Sequence, residues 1–158
     1  FFYTHTPPPP IPLRLVGSEM CIRDRSIKKA RAEGFMPITV TVVDVAGVIR
    51  ATLAEDGSGL TRADVAYAKA WSCIAAGFST SALRDIVEEQ PRLDKAINGM
   101  QIMANGKLIP TPGGLIIQKD GKNIGAVGIS GDRSDEDEIC AIAGIEAAGL
   151  VYSHSASK

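Results

Sequence analysis

Residues 112–145 read PGGLIIQKDGKNIGAVGISGDRSDEDEICAIAGI and carry the strongest structural signals of this chain. Asp120-Gly121 is a hairpin turn signal that joins two runs rich in Ile, Val and Gly. Ser134 followed by Asp137 matches a capping box, and acidic residues fill the first turn of the helix that it would start. The stretch therefore predicts a β-hairpin followed by a helix in a compact α/β domain.

The upstream sequence also predicts a hairpin followed by a helix. Residues 38–44 form a β-branched run, and a turn at residues 44–47 leads into a second predicted strand at 48–53. Thr61 and Asp64 predict the start of the main helix, and residues 107–110 are predicted as a further short strand. Adjacent hairpins favour a mainly antiparallel sheet, since crossovers long enough for a parallel sheet are few. We therefore predict an α/β fold in which helices flank this sheet.

Composition excludes several functional classes. The chain has 158 residues and a net charge of −1, without the clustered basic face that nucleic acid binding needs. No apolar run reaches the ~18 residues of a membrane span. The three cysteines stand in no metal-like spacing, so we predict neither a metal site nor a disulfide framework.

The first 25 residues differ from the rest of the chain. They have a proline run and no helical or strand period, and residues 16–25 (VGSEMCIRDR) resemble translated sequencing-adapter read-through. We expect residues 1–25 to be an extended, unpacked and artefactual leader; the alternative is a natural Pro-rich tail in polyproline II. The predicted domain is then residues 26–152, followed by a tail at 153–158. We expect a cytoplasmic protein, and export stays open because the natural N-terminus would be missing.

The main helix carries two neighbouring stripes. The small stripe is Ala66, Ala70, Cys73 and Gly77, and the large stripe is Tyr67, Trp71, Ile74 and Phe78. Together they give more apolar surface than one side of a single sheet readily covers. This pattern predicts a homo-oligomer; the alternative is that both stripes belong to the core.

A ligand pocket, if present, is predicted where exposed backbone donors, absent side chains and one helix-borne cation meet. The candidate residues are Asp64, Lys69, Gly113, Gly114, Gly128, Ser130 and Gly131. The alternative for the glycines is tight packing. For Lys69 it is exposure to solvent, while Asp44 and a ligand carboxylate are the candidate partners.

No catalytic constellation emerges, so the catalytic residues are unknown. His154 is the one histidine outside residues 1–25, and we expect it to lie in a frayed C-terminus. A Ser-His-Asp triad or a His-paired thiol is therefore not expected.

Four segments carry a family resemblance. They are ITVTVVDVAGVIRA (38–51), ADVAYAKAWSCIAAGFSTSAL (63–83), PGGLIIQKDGKNIGAVGISG (112–131) and DEDEICAIAGIEA (135–147). In combination they resemble the GlcG/HbpS-like family of haem-binding or haem-degrading proteins, whose module recurs at the C-terminus of some PduO-type proteins. The resemblance covers residues 26–150. It implies a five-stranded, largely antiparallel sheet of profilin-like or roadblock-like appearance, and homo-oligomers from dimers to octamers.

The resemblance also implies a function, with two alternatives. One is an accessory or sensor-type protein that binds a small molecule, with haem as the candidate cofactor. The other is an enzyme acting on haem or a small organic acid. Many members carry an Arg before the Asp-Gly that ends the second strand, where this chain has Ala54. The core offers no histidine for haem iron, so the candidate replacements are Tyr67, Thr111, Met100 and Met103.

Overall fold

The computed structural model describes residues 17–156. The helices are α1 (Ser18–Glu33), α2 (Arg62–Ala76), α3 (Thr80–Glu89), α4 (Asp94–Met103) and α5 (Ser134–Ala147). The strands are β1 (Thr39–Asp44), β2 (Ile49–Ala54), β3 (Gly114–Lys119), β4 (Lys122–Ser130) and β5 (Val151–Ser153). None of the helices in this part of the chain combines the length and the apolar character needed to cross a membrane.

The strands form one sheet in the order β2-β1-β4-β3-β5, and every neighbouring pair is antiparallel. The predicted fold class is confirmed. The β3–β4 hairpin turns at Asp120 and Gly121, whose φ angles are 51° and 72°. Asp and Gly adopt this left-handed conformation more readily than most residues, which is why the dipeptide predicted the hairpin.

The fifth strand is β5, and the strand predicted at residues 107–110 is wrong. The backbone of this segment is held by a side chain of α2 instead of a neighbouring strand. The Ser72 hydroxyl donates to the Lys107 carbonyl at 2.9 Å and accepts from the Ile109 N–H at 2.8 Å. The local apolar pattern is that of a short strand, but the tertiary contact satisfies its polar groups in another way.

Helices cover both faces of the sheet. α1 and α5 bury their apolar residues with one set of strand residues, which includes Val127 and Ile129 of β4. α2 packs on the opposite face, against the alternate residue Ala126. Because side chains alternate along a strand, β4 is buried on both faces and reads as a nearly continuous apolar run.

The first helix begins eight residues before the expected domain boundary. Residues 18–25 form the first half of α1, and Ile22 is fully buried in the core between α1 and α5. The expectation of an extended, unpacked segment is therefore wrong for residues 18–25. The segment has little helical amphipathicity, so its periodicity did not reveal the helix. Residues 1–16 lie outside the described part of the chain, and the expected leader there stays a prediction.

The helix starts agree only in part with the predicted caps. Ser79 caps α3 by accepting from the Ala82 N–H at 3.1 Å. The Thr61 side chain makes no capping hydrogen bond, although α2 starts at the next residue. The predicted Ser134–Asp137 box is also wrong, because the cap residue of α5 is Arg133 and Asp137 points into the protein.

Candidate functional site

Lys69 lies at the centre of the sequence-predicted site, but its partner is a protein side chain. Its Nζ donates to Asp137 Oδ2 at 2.8 Å and to the Ile129 carbonyl at 2.8 Å. The residue is only 1% exposed, so it does not extend to solvent. Asp44 pairs with Arg50 on the neighbouring strand. Both expected arrangements, solvent exposure and pairing with Asp44, are therefore wrong.

Burial dominates the electrostatics of this pair. It lowers the pKa of Lys69, and the opposite charge of Asp137 counteracts that effect. It raises the pKa of Asp137, which is counteracted in turn by Lys69. A lysine with a lowered pKa can act as a base or nucleophile, but only where a substrate reaches it. This one is enclosed, so the geometry gives the pair a structural role linking α2 to α5.

The predicted glycines pack against the same pair and the adjacent backbone. A Cβ added to Gly113, where φ is 112°, would lie 2.8 Å from both Lys69 Nζ and Asp137 Cβ. One added to Gly114 would lie 2.7 Å from the Lys69 carbonyl oxygen. One added to Gly128 would lie 2.5 Å from the Ala70 backbone nitrogen. These glycines allow β3 and β4 to approach α2 closely. This is the tight packing that was the alternative to a ligand pocket.

The backbone donors of the Gly113-Gly114 loop have protein acceptors. The Gly113 N–H donates to Glu138 Oε2 at 3.3 Å, and the Gly114 N–H donates to Thr80 Oγ1 at 2.8 Å. A ligand carboxylate at either amide would have to displace these side chains. Ligand binding by this loop stays a prediction, and the observed contacts favour a structural role.

The other three predicted residues lie apart from Lys69 or are buried. Asp64 is exposed in the first turn of α2. Ser130 is buried at the end of β4, where Arg62 Nη1 approaches its hydroxyl at 3.4 Å. A Cβ on Gly131 would lie 2.5 Å from the Pro37 carbonyl oxygen. The fold thus gathers Lys69 and the glycines at residues 113, 114 and 128 in one place and leaves Asp64 outside it.

An apolar cavity of about 510 Å³ lies elsewhere, between α2, α3 and α4. Its walls include Trp71, Phe78, Leu83, Ile97, Met100 and Met103. Pockets of ~300–1,000 Å³ with mostly apolar walls are typical of sites for small organic ligands. The large stripe of α2 is divided accordingly: Trp71 and Phe78 face the cavity, whereas Tyr67 and Ile74 pack on the core.

Two kinds of functional group accompany these apolar walls. Met100 and Met103 present thioethers from α4, and they are 52% and 86% exposed. Lys107 lies beside the cavity with its Nζ 5.2 Å from the centre of the Trp71 ring, a cation–π contact. The sequence predicts no pocket here, although Met100 and Met103 are among the candidate iron ligands. The available signal was the helical spacing of Ile97, Met100 and Met103, which marks one apolar face of α4.

His154 is held in place, contrary to the expected fraying of the C-terminus. Its Nδ1 lies 2.8 Å from Ser79 Oγ, and its carbonyl accepts from the Ser79 N–H at 3.0 Å. Phe78 pairs with Ser155 in an isolated antiparallel bridge. Phe78 lines the cavity, whereas His154 and Ser79 are not among its walls.

The polar groups around His154 do not form the relay of a serine hydrolase. In such a relay the imidazole lies between the serine and the acid. Here Ser81 Oγ donates to Glu138 Oε1 at 3.0 Å and lies 3.4 Å from His154 Nδ1, so the serine lies between them. Residues 17–156 also contain no group of three His, Cys, Asp or Glu side chains placed to hold a metal ion.

Known proteins resemble the chain in sequence and in fold. Corrinoid adenosyltransferase PduO of Salmonella typhimurium is 32% identical over 102 residues, which are 65% of this chain and 29% of that protein. The chain thus matches less than a third of that relative. The crystal structure of the PduOC:heme complex superposes with a TM-score of 0.75 at 26% identity, covering 87% of this chain and 95% of the other.

A second crystal structure gives the same result. Klebsiella pneumoniae protein ORFY superposes with a TM-score of 0.75 at 25% identity, over 85% of this chain and 89% of that one. A family model described as haem degrading protein HbpS-like matches residues 22–146, which includes every strand of the sheet except β5. The chain therefore belongs to the HbpS-like family.

Proposed function

We propose that this protein binds haem in the apolar cavity between α2, α3 and α4, as an accessory or sensor protein without turnover. The observation that carries the proposal is the cavity itself, with a volume of about 510 Å³, in a fold that matches the PduOC:heme complex over most of its length. A tetrapyrrole is a broad apolar ligand with carboxylates at one edge.

The residues of the cavity fit such a ligand. Trp71 and Phe78 offer aromatic surface for a flat macrocycle. Lys107, beside Trp71, supplies a positive charge for a carboxylate. The thioethers of Met100 and Met103 are possible ligands for iron. When bound, haem would supply the redox and oxygen chemistry, and the protein would supply the apolar walls and the charge.

Trp71 gives a direct test, because it is the one tryptophan of the chain and lines the cavity. Titration with hemin should quench its fluorescence, with saturation, while a Soret band develops at the same stoichiometry. Ala75→Phe, which fills the cavity from the exposed side of α2, should abolish both signals. Ala63→Phe is the matched control on an exposed position of the same helix. Unsaturable quenching, or full binding by Ala75→Phe, would contradict the proposal.

A second measurement on the same complex distinguishes haem binding from the alternative, an enzyme that acts on haem. Under oxygen and a reductant, a binding protein should keep its Soret band for as long as hemin bound to serum albumin does. Faster decay that is lost in Ala75→Phe would instead show that the protein degrades haem.

We further propose that the protein is a homo-oligomer. Apolar side chains remain exposed on the described surface, among them Ile102 at 80% on α4 and Leu53 at 42% on β2. Exposed apolar surface of this kind is typical of subunit contacts. Light scattering at micromolar concentration should give a multiple of the monomer mass, and a monomer mass would contradict the proposal. A cytoplasmic location also stays a proposal, testable by fractionation.

A further inference from the structure

We infer that Met100 would supply its thioether sulphur as a ligand to the iron of haem bound in the cavity. This inference rests on the proposed function, and it adds the chemical identity of the iron ligand. It follows from which side chains face the cavity, which donors are committed elsewhere, and how deeply the two methionines lie.

The methionines and the tryptophan of the cavity wall come from different helices. Met100 and Met103 come from α4, three residues apart and therefore on one helix face, whereas Trp71 comes from α2. Met100 is 52% exposed and Met103 is 86% exposed, so Met100 lies deeper against the cavity. The less exposed Met100 is therefore the better placed of the two to contact a ligand that fills the cavity.

The other donors considered for iron are committed elsewhere or do not line the cavity. The Tyr67 hydroxyl donates to the Gly47 carbonyl at 3.3 Å. The His154 ring does not line the cavity and contacts Ser79 through Nδ1. Thr111 is not among the cavity residues.

The two buried cysteines are also poor candidates. Burial raises the pKa of the Cys140 thiol to about 12, and it raises that of Cys73 as well. Since the thiolate is the form that binds metals, both stay protonated at neutral pH. Cys140 also packs in the core between α1 and α5, away from the cavity. Among the residues that the structure describes at the cavity wall, the side chains able to donate to iron are therefore the thioethers of Met100 and Met103.

A thioether has distinct consequences for haem. It is a neutral and soft ligand, so it stabilises ferrous iron relative to ferric iron and raises the reduction potential. It would also tether α4, which has no buried residue of its own. We therefore expect hemin binding to protect the amides of α4 from hydrogen exchange more than those of α5.

The test compares Met100→Leu with Met103→Leu in the full chain. Leucine conserves the volume and the apolar surface and removes only the sulphur. Met100→Leu should retain saturable Trp71 quenching in the ferric state. The thioether-to-iron charge-transfer absorption should disappear, and the reduction potential of the bound haem should fall. The affinity for ferrous haem should decrease more than the affinity for ferric haem. Met103→Leu should keep the thioether-to-iron absorption, because the sulphur of Met100 is retained. Met36→Leu removes an exposed thioether outside the cavity and is the control, which should leave every signal as in the parent protein.

The outcomes separate the inference from the proposed function. If the parent protein gives no saturable hemin binding, both are overturned. If hemin binds but Met100→Leu keeps the parent spectrum and potential, the inference alone is wrong. Loss of the thioether signals in Met103→Leu instead would likewise overturn the assignment to Met100. Circular dichroism of both variants, matched to the parent, shows that the fold is intact.

Discussion

Lys69 of α2 and Asp137 of α5 form a buried ion pair, with 2.8 Å between Nζ and Oδ2 and side chains that are 2% and 1% exposed. The pair connects the helix on one face of the sheet to the start of the helix that follows β4. Burying both charges is unfavourable, and the contact compensates for it only while both partners are present.

Removing one partner should therefore be much more harmful than removing both. Lys69→Met leaves the Asp137 carboxylate buried without a counter-charge, and we expect a loss of ~3–5 kcal/mol in the free energy of unfolding. The double variant Lys69→Met, Asp137→Leu should recover most of that loss in urea denaturation. A double variant that is no more stable than Lys69→Met would show that the two residues are not coupled.

The penalty of Lys69→Met should also depend on pH. Burial already raises the pKa of Asp137, and Lys69 is the main group that opposes the rise, so the variant should raise it further. A carboxyl group whose folded pKa is raised stabilises the fold most below its unfolded pKa of ~3.9, and this contribution is lost as pH rises through the folded pKa.

The stability difference between the parent and Lys69→Met should consequently shrink as pH falls from neutral towards acid. Denaturation at a series of pH values measures it, with Asp137→Asn in the Lys69→Met background as the control that removes the titration. A difference that is constant, or that widens in acid, would contradict this account.

Gly128→Val should destabilise the fold through steric overlap with α2. The new side chain would collide with the Ala66 carbonyl and the Ala70 backbone nitrogen, neither of which can move independently of the helix. We expect a loss of at least ~1–3 kcal/mol by thermal or urea denaturation, although valine itself favours strands. Gly99→Val is the control in open space on α4. A stable Gly128→Val protein that loses hemin binding would instead support the ligand pocket predicted at these glycines.

Ile22→Ala should show that the first half of α1 belongs to the fold. Ile22 is completely buried, so its truncation should cost ~2–5 kcal/mol of unfolding free energy. Met20, at 55% exposure on the same helix, is the matched control. Equal melting temperatures for Ile22→Ala and Met20→Ala would instead indicate that the domain begins near residue 26.

Lys107→Gln should weaken the binding of ligands that carry carboxylates. A partly exposed ion pair contributes ~0.2–1 kcal/mol, which corresponds to a few-fold change in the dissociation constant for hemin. Quenching of Trp71 fluorescence measures the dissociation constant, with each titration normalised to its own starting fluorescence because the variant lacks the cation–π contact. A porphyrin with esterified carboxylates should bind both proteins equally. Lys119→Gln, at an exposed position on β3, should behave like the parent.

The sheet and its hairpins could be predicted from local patterns. The Asp120-Gly121 turn and the β-branched run before Asp44 act through the backbone conformations of a few residues, which neighbours in sequence largely determine. The number of strands was predicted from the family resemblance. Residues 107–110 and residues 18–25 were mispredicted, because the hydrogen bonds of Ser72 and the burial of Ile22 depend on partners far away in the chain.

The candidate site divides in the same way. The sequence alone predicted that Lys69 and the glycines at residues 113, 114 and 128 lie together, and they are in contact in the structure. Only the tertiary structure decides that Asp137 neutralises the lysine and that helix backbone fills the space above the glycines. Likewise, Met100 is one of several candidate iron ligands in the sequence, and only the tertiary structure places it with Trp71 in the wall of one cavity. Local sequence fixes backbone preferences within a few residues, whereas charge partners, close contacts and cavities arise only when distant segments pack together.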